Sequence, residues 1–145
     1  MIGIRDMIDA DEPELIALWH AAGLARSWNP PERDIAFARI GPHSTILVAL
    51  NNEALAGSAM VGEDGHRGWV YYVAVAPAHQ GAGIGKALMM AAEAWLLARG
   101  VWKMQLLVRA ENVDVQAFYE KLGYRRVETV TMQKVIGGSH MEGSS

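Results

Sequence analysis

Trp69-Val-Tyr-Tyr-Val-Ala-Val75-Ala-Pro77-Ala-His-Gln80-Gly81-Ala-Gly83-Ile-Gly85-Lys86-Ala-Leu88 lies near the middle of a 145-residue chain, and its reading decides the fold. Trp69 to Val75 is apolar with little alternation, the pattern of a strand covered on both faces. Pro77 ends it, because proline has no N–H to give a ladder. From Gly83 to Arg99 the residues Ile84, Leu88, Ala91, Ala92, Trp95 and Leu96 recur at helical spacing, and Gly100 closes the helix. Gly81, Gly83 and Gly85 stand at the join, where glycine lets a backbone turn tightly and approach a ligand closely. The first amides of a helix lack intrahelical partners, and the helix dipole favours an anion there. A pyrophosphate is the natural guest of such a join.

Two phosphate-binding patterns fail on this stretch. A P-loop needs Gly-x-x-x-x-Gly-Lys-Ser/Thr, but Gln80 stands where the first glycine is required and Ala87 replaces the hydroxyl. A dinucleotide fingerprint needs Gly-x-Gly-x-x-Gly directly after a strand. Here the third glycine comes one residue early, and five residues separate Val75 from Gly81. A closely packed helix start remains the plain alternative.

Upstream, Ile2 to Met7 alternates as a first strand, and a helix follows from Asp11 or Glu12 to Gly23 with Leu15, Leu18, Trp19 and Ala22 on its apolar face. Asn29-Pro-Pro-Glu32 starts a second helix reaching about Ile40. Ser44–Leu50 and Leu55–Glu63 read as a hairpin across Asn51-Asn52-Glu53, and Asp64-Gly-His-Arg-Gly68 is a further turn. Downstream, Lys103–Arg109 reads as a strand, Val113–Leu122 as a helix closed by Gly123, and Tyr124–Val135 as two short strands. The order is that of a mixed α/β domain, an antiparallel meander followed by β-α-β units.

Composition narrows the class. The chain suits one domain, residues 1–136, and the tail 137–145, with its Gly-Ser-His-Met, reads as a cloning scar. Thirteen basic and 16 acidic residues give −3; without the tail's Glu142 the charge is −2, which is no basic footprint for nucleic acid. No apolar run reaches the roughly 20 residues of a membrane span. The absence of cysteine excludes disulfides, thiolate metal sites and a cysteine nucleophile, and fits a cytoplasmic protein. His20, His43 and His79 have no ligand spacing, so no metal is expected.

Val75-Ala-Pro77 followed by Gln80-Gly-Ala-Gly-Ile-Gly85 resembles the acetyl-CoA motif of the GCN5-related N-acetyltransferases (GNAT), Arg/Gln-x-x-Gly-x-Gly/Ala. Asn112 to Tyr124, with Asn112, Ala117, Tyr119, Gly123 and Tyr124, is similar to that family's second motif, an asparagine and an alanine followed by Tyr-x-x-x-Gly-Phe/Tyr. Both occur in order, separated by one helix and one strand, and the element order from Ile2 to Val135 matches the family. Trp28-Asn29-x-Pro31 and Asp64-Gly-His-Arg-Gly68 resemble the bacterial YpeA-like branch.

The resemblance implies a GNAT fold: a central, mostly antiparallel mixed sheet flanked by helices, its parallel strands 4 and 5 splayed. It implies acetyl-CoA as cosubstrate, with pantetheine adding to the edge at Val73, Ala74 and Val75. Gln80 then opens a loop in which amides of Gly81, Ala82, Gly83, Ile84, Gly85 and Lys86 take the pyrophosphate. Asn112 reaches the cofactor or the splayed strand, and Tyr119 is the general acid near the sulfur. Trp28, Asn29, Tyr71 and Tyr72 wall the acceptor side. The plain readings are a helix cap for Asn112, a core residue for Tyr119 and a solvated Lys86. Pairing of two chains through the last strands, common in the family, implies a homodimer.

The implied reaction is direct transfer of acetyl to an amine of a small molecule or peptide, and the lack of cysteine excludes a cysteine acyl-enzyme. A lysine-like amine, pKa about 10.4, stands about 4.6 kcal/mol from its neutral form at pH 7, an α-amine only about 1 kcal/mol. A base therefore matters for the first and little for the second. Many relatives carry a glutamate on the central strand; Trp69–Val75 has no carboxylate. The base candidates are Glu63, Asp64 and His66, acting through water. The alternative function is an acyl-CoA sensor that keeps the fold without turnover.

Overall fold

The computed structural model describes residues 1–26 and 29–137. The chain divides into two compact units, Met1–Leu106 and Leu107–Ser145. The first holds β1 (Ile2–Asp6), α1 (Glu12–Ala21), α2 (Pro31–Ala38), β2 (Ser44–Asn51), β3 (Ala54–Glu63), β4 (Gly68–Val75), α3 (Ile84–Leu97) and β5 (Met104–Leu106). Its five-stranded sheet runs β1-β2-β3-β4-β5, antiparallel up to β4 and parallel between β4 and β5. This is the mixed, mostly antiparallel sheet expected from the sequence.

The β2–β3 turn follows its residues: Asn52 and Glu53 both take positive φ, 50° and 70°, as a two-residue hairpin requires. β3 then alternates between two helical layers. On one side Leu15, Leu18 and Trp19 of α1, with Ile35 and Ala38 of α2, pack on Ile46, Val48 and Ala74. On the other, α3 buries Ile84, Leu88, Met89, Ala92 and Leu96. Gly57 of β3 makes that approach possible: a Cβ there would lie 2.8 Å from the Ala74 carbonyl oxygen and 3.0 Å from Ile84 and Leu88. Arg5 fixes the entry to α1 by two hydrogen bonds to Asp11, at 2.7 and 3.1 Å, and the Ile8 amide donates to Asp11 at 2.8 Å. Arginine and the amide hold the Asp11 carboxyl below its ordinary pKa.

Three expectations change. β4 is not covered on both faces, since Tyr71 is 46% exposed. β5 spans three residues rather than Lys103–Arg109, because its ladder ends at Val70↔Leu106. Residues 124–136 form no strand. Their valines and threonines favour a pleated, half-buried surface, yet Val127, Val130, Met132 and Ile136 are exposed. A strand without a partner on which to bury one face has nothing to hold it extended.

The second unit contains α4 (Val113–Lys121). Asn112 caps it, accepting a hydrogen bond from the Val115 amide at 3.4 Å, and Gly123 turns the chain away at φ 99°. The Tyr119 ring meets Phe118 and Tyr124 edge-on, with centroids 5.1 and 5.9 Å apart.

Candidate functional site

The site begins with an irregularity in β4. Ser58 pairs with Ala74 and Met60 with Tyr71, so Tyr72 and Val73 together oppose Ala59. This is a bulge, and Tyr72 takes φ 54° to form it, a conformation that side chains other than glycine adopt at a cost. A polar network holds it. Ser58, fully buried, donates to the Tyr72 carbonyl at 2.8 Å and accepts from Trp19 Nε1 at 2.9 Å. The Trp19 and Tyr72 rings stack with centroids 3.9 Å apart. The Tyr72 hydroxyl donates to Asp34 at 2.5 Å and accepts from Asn29 Nδ2 at 3.2 Å. Burial, reinforced by Asp34, raises the Tyr72 pKa far above that of a free phenol.

Beyond the bulge, the β4–β5 ladder has already stopped at Val70. Among the described residues, Val73, Ala74 and Val75 have no strand pairing on that edge. The strand exit is fixed, since the Ala76 amide donates to the Ala56 carbonyl at 2.7 Å. A 3-10 turn, Pro77–His79, and Gln80 lead to Gly81 and Gly83, at φ 83° and 79°. No atom stands within 4 Å of where a Cβ would sit on either glycine. Their need is therefore backbone conformation beside open space, as a loop that receives a ligand requires. Gly83 is the N-cap of α3, and Ile84, Gly85 and Lys86 form its first turn, where amides lack intrahelical partners.

On the α2 side of β4 lies a cavity of about 790 Å³. It gathers five of the residues expected at the site: Asn29, Glu63, Asp64, Tyr71 and Tyr72. Trp28 lies outside the described residues. His66 is in the exposed turn, within 3.3 Å of an Arg67 nitrogen, and does not line the cavity. Glu63 meets His43 at 2.6 Å and accepts from the Gly65 amide at 2.7 Å; both lower its pKa. Asp64 accepts from the Arg67 and His66 amides, at 2.7 and 2.9 Å, and from Trp69 Nε1 at 3.1 Å, which lowers its pKa too. Tyr71 is raised by burial and by the negative charge of Asp64. In the second unit Tyr119 is buried, and desolvation pushes its phenol up to about 12.

Asp34, Ser58 and His43 were not singled out from sequence. Asp34 reads as an ordinary charge in the first turn of a helix and His43 as a loop residue. A serine between Gly57 and Ala59 carries a faint signal, as a polar residue at a core position of a strand. No group of three or more potential metal-ligating side chains occurs among the described residues. None of their helices is long and apolar enough to cross a membrane.

Comparison with known proteins agrees with this geometry. Residues 5–124 match the profile described as the Acetyltransferase (GNAT) family. The chain is 42% identical over 131 residues to a Pectobacterium atrosepticum protein named an acetyltransferase, covering 90% of this chain and 93% of that protein. With the same coverage it is 40% identical to a Yersinia pestis protein named an uncharacterized N-acetyltransferase. Among solved structures, AAC(6')-Iy in complex with the bisubstrate analog CoA-S-monomethyl-acetylneamine shares the fold, with a TM-score of 0.80 at 17% identity over 94% of this chain and 99% of that one. With a bulged fourth strand, a short parallel fifth that pairs only with its first half and a glycine-rich helix start between them, the chain belongs to the GNAT acetyltransferase family.

Proposed function

We propose that the chain transfers the acetyl group of acetyl-CoA directly to an amine. One observation carries the reading: a strand edge at Val73–Val75, without a strand partner among the described residues, runs within a few residues into the left-handed glycines that open α3. An edge offers amides and carbonyls to an extended polar chain such as pantetheine. A helix start offers amides and a positive dipole end to the pyrophosphate. Gln80 and Lys86 border that loop, and Asn112 contributes from the cap of α4.

In the transfer the neutral amine attacks the thioester carbon, and the carbon–sulfur bond breaks. The nitrogen releases a proton and the thiolate acquires one, giving the amide and free CoA. An amide of the β4 bulge, left over where two residues oppose one, suits the developing charge on the thioester oxygen. Tyr119 serves the leaving thiolate. A phenol near pKa 12 opposite a thiol of about 8.5 makes full proton transfer uphill by roughly 5 kcal/mol. Its contribution is then a hydrogen bond to the departing sulfur, the proton arriving from solvent or the amine. Glu63 and Asp64, with lowered pKa values, are weak bases, so the amine proton leaves through water.

The lowered pKa values of Glu63 and Asp64, the two cavity carboxylates expected as bases, favour one second reading, a sensor that binds acyl-CoA without turnover. Free-thiol release from acetyl-CoA across a panel of amines, amino acids and peptides separates the two. Amine-dependent release is expected. Calorimetric binding of acetyl-CoA with no release for any amine leaves the sensor.

A further inference from the structure

We infer that the acceptor is at least doubly cationic: one nitrogen is acetylated, and a second, non-reacting ammonium rests in the cavity beside α2, against Asp34 and between aromatic faces. The inference rests on the acetyl-transfer reading and specifies the substrate class of that site.

The cavity is of a size that suits a small molecule. Its described lining includes three carboxylates, Asp34, Glu63 and Asp64, and neither lysine nor arginine. Trp69 and Tyr71 stack 6.3 Å apart at 14° and present a double aromatic wall. Aromatic faces with carboxylates bind ammonium ions by cation–π attraction and charge-assisted hydrogen bonds. His43 lies against Glu63, so an anionic acceptor would chiefly meet the negative charge of Asp34 and Asp64, and a purely apolar one would strip water from carboxylates without replacing it.

The carboxylates do not suit the reacting nitrogen itself. An anion beside an amine favours its protonated form, and only the neutral form attacks. Glu63 and Asp64 are already held as anions by His43, Trp69 and turn amides, so neither readily accepts the amine proton. Their charge helps only where it faces a cation that stays a cation. Asp34 is the selective element. Its Oδ2 accepts from Tyr72, the bulge residue, which ties the ammonium position to the strand along which the thioester would lie.

The test compares kcat/KM at saturating acetyl-CoA for cadaverine, pentylamine and 5-aminopentanoate. These share a chain length and differ only in a distal ammonium, methyl or carboxylate. The expected order is cadaverine first, with 5-aminopentanoate lower by about a hundredfold or more. Asp34→Asn, nearly isosteric and able to keep an acceptor for Tyr72, should shrink the cadaverine-to-pentylamine ratio about tenfold, the size of one charge-assisted hydrogen bond. Asp34→Glu should restore part of it. An unchanged melting temperature and acetyl-CoA affinity exclude misfolding of the variants. If pentylamine or 5-aminopentanoate equals cadaverine in the wild-type protein, the inference is wrong and acetyl transfer stands. If no amine of the wider panel reacts while acetyl-CoA binds, acetyl transfer fails and the inference falls with it.

Discussion

Tyr119 carries the most chemistry of any single side chain proposed for the reaction. Replacing it with phenylalanine keeps the ring and its edge contacts with Phe118 and Tyr124. Tyr119→Phe should lower kcat about ten- to a hundredfold and leave the KM for acetyl-CoA within about twofold, because only the departing sulfur uses the hydroxyl. Equal kcat values for the two proteins would remove the role. The pH dependence has a definite sign. The folded-state pKa is raised, so the phenol stays protonated up to about 12 and causes no loss of rate between pH 7 and 10. The stability linked to it is complete below the ordinary phenol pKa, about 10, and disappears as pH rises through about 12. Tyr119 was legible because it falls in a spaced motif ending at Gly123-Tyr124. Asp34 was not, because nothing in the sequence of α2 says that a phenol from β4 will reach it 38 residues later in the chain.

At the scale of the element, the β4 bulge is a local distortion sustained by distant side chains. Ser58→Ala takes away the acceptor of the buried Trp19 Nε1 and the donor to the Tyr72 carbonyl. A buried donor without a partner costs about 1–3 kcal/mol. Urea unfolding should show a loss of that size with an unchanged m-value, and kcat should fall as the bulge relaxes. A loss below about 0.5 kcal/mol would mean that the Trp19–Tyr72 stack and the Tyr72 hydroxyl bonds hold the bulge without Ser58. The regular elements were readable from local signals: α3 from helical spacing closed by Gly100, the β2–β3 hairpin from Asn51-Asn52-Glu53, and α4 from its Asn112 cap. Strand ends were less readable. Lys103–Arg109 and Tyr124–Val135 have strand composition, but a strand's length is set by its partner. β4 bulges after Tyr71 and β5 stops opposite Val70, and no local sequence states either fact.

Over the whole chain, strand order in the sheet equals strand order in the sequence. Among the described residues the only parallel pair is β4–β5, joined through α3. That crossover brings the glycine loop to the end of β4, where ligands of open α/β sheets gather beyond the carboxyl ends of strands. In the proposed reaction two surfaces of β4 divide the work. Its edge and the α3 start suit the acetyl donor, and its α2 side suits the acceptor. The family was legible because it rests on contiguous motifs, and the proposed donor side rests on the same motifs. The acceptor side was only partly so, because its cavity is assembled from α2, the start of β2 and the β3–β4 turn. A crystal structure of the chain soaked with millimolar CoA tests the central claim most directly. The account predicts pyrophosphate density within hydrogen-bond distance of amides between Gly81 and Lys86, with pantetheine running along Val73–Val75. CoA bound elsewhere, or an empty α3 start at that concentration, would contradict it.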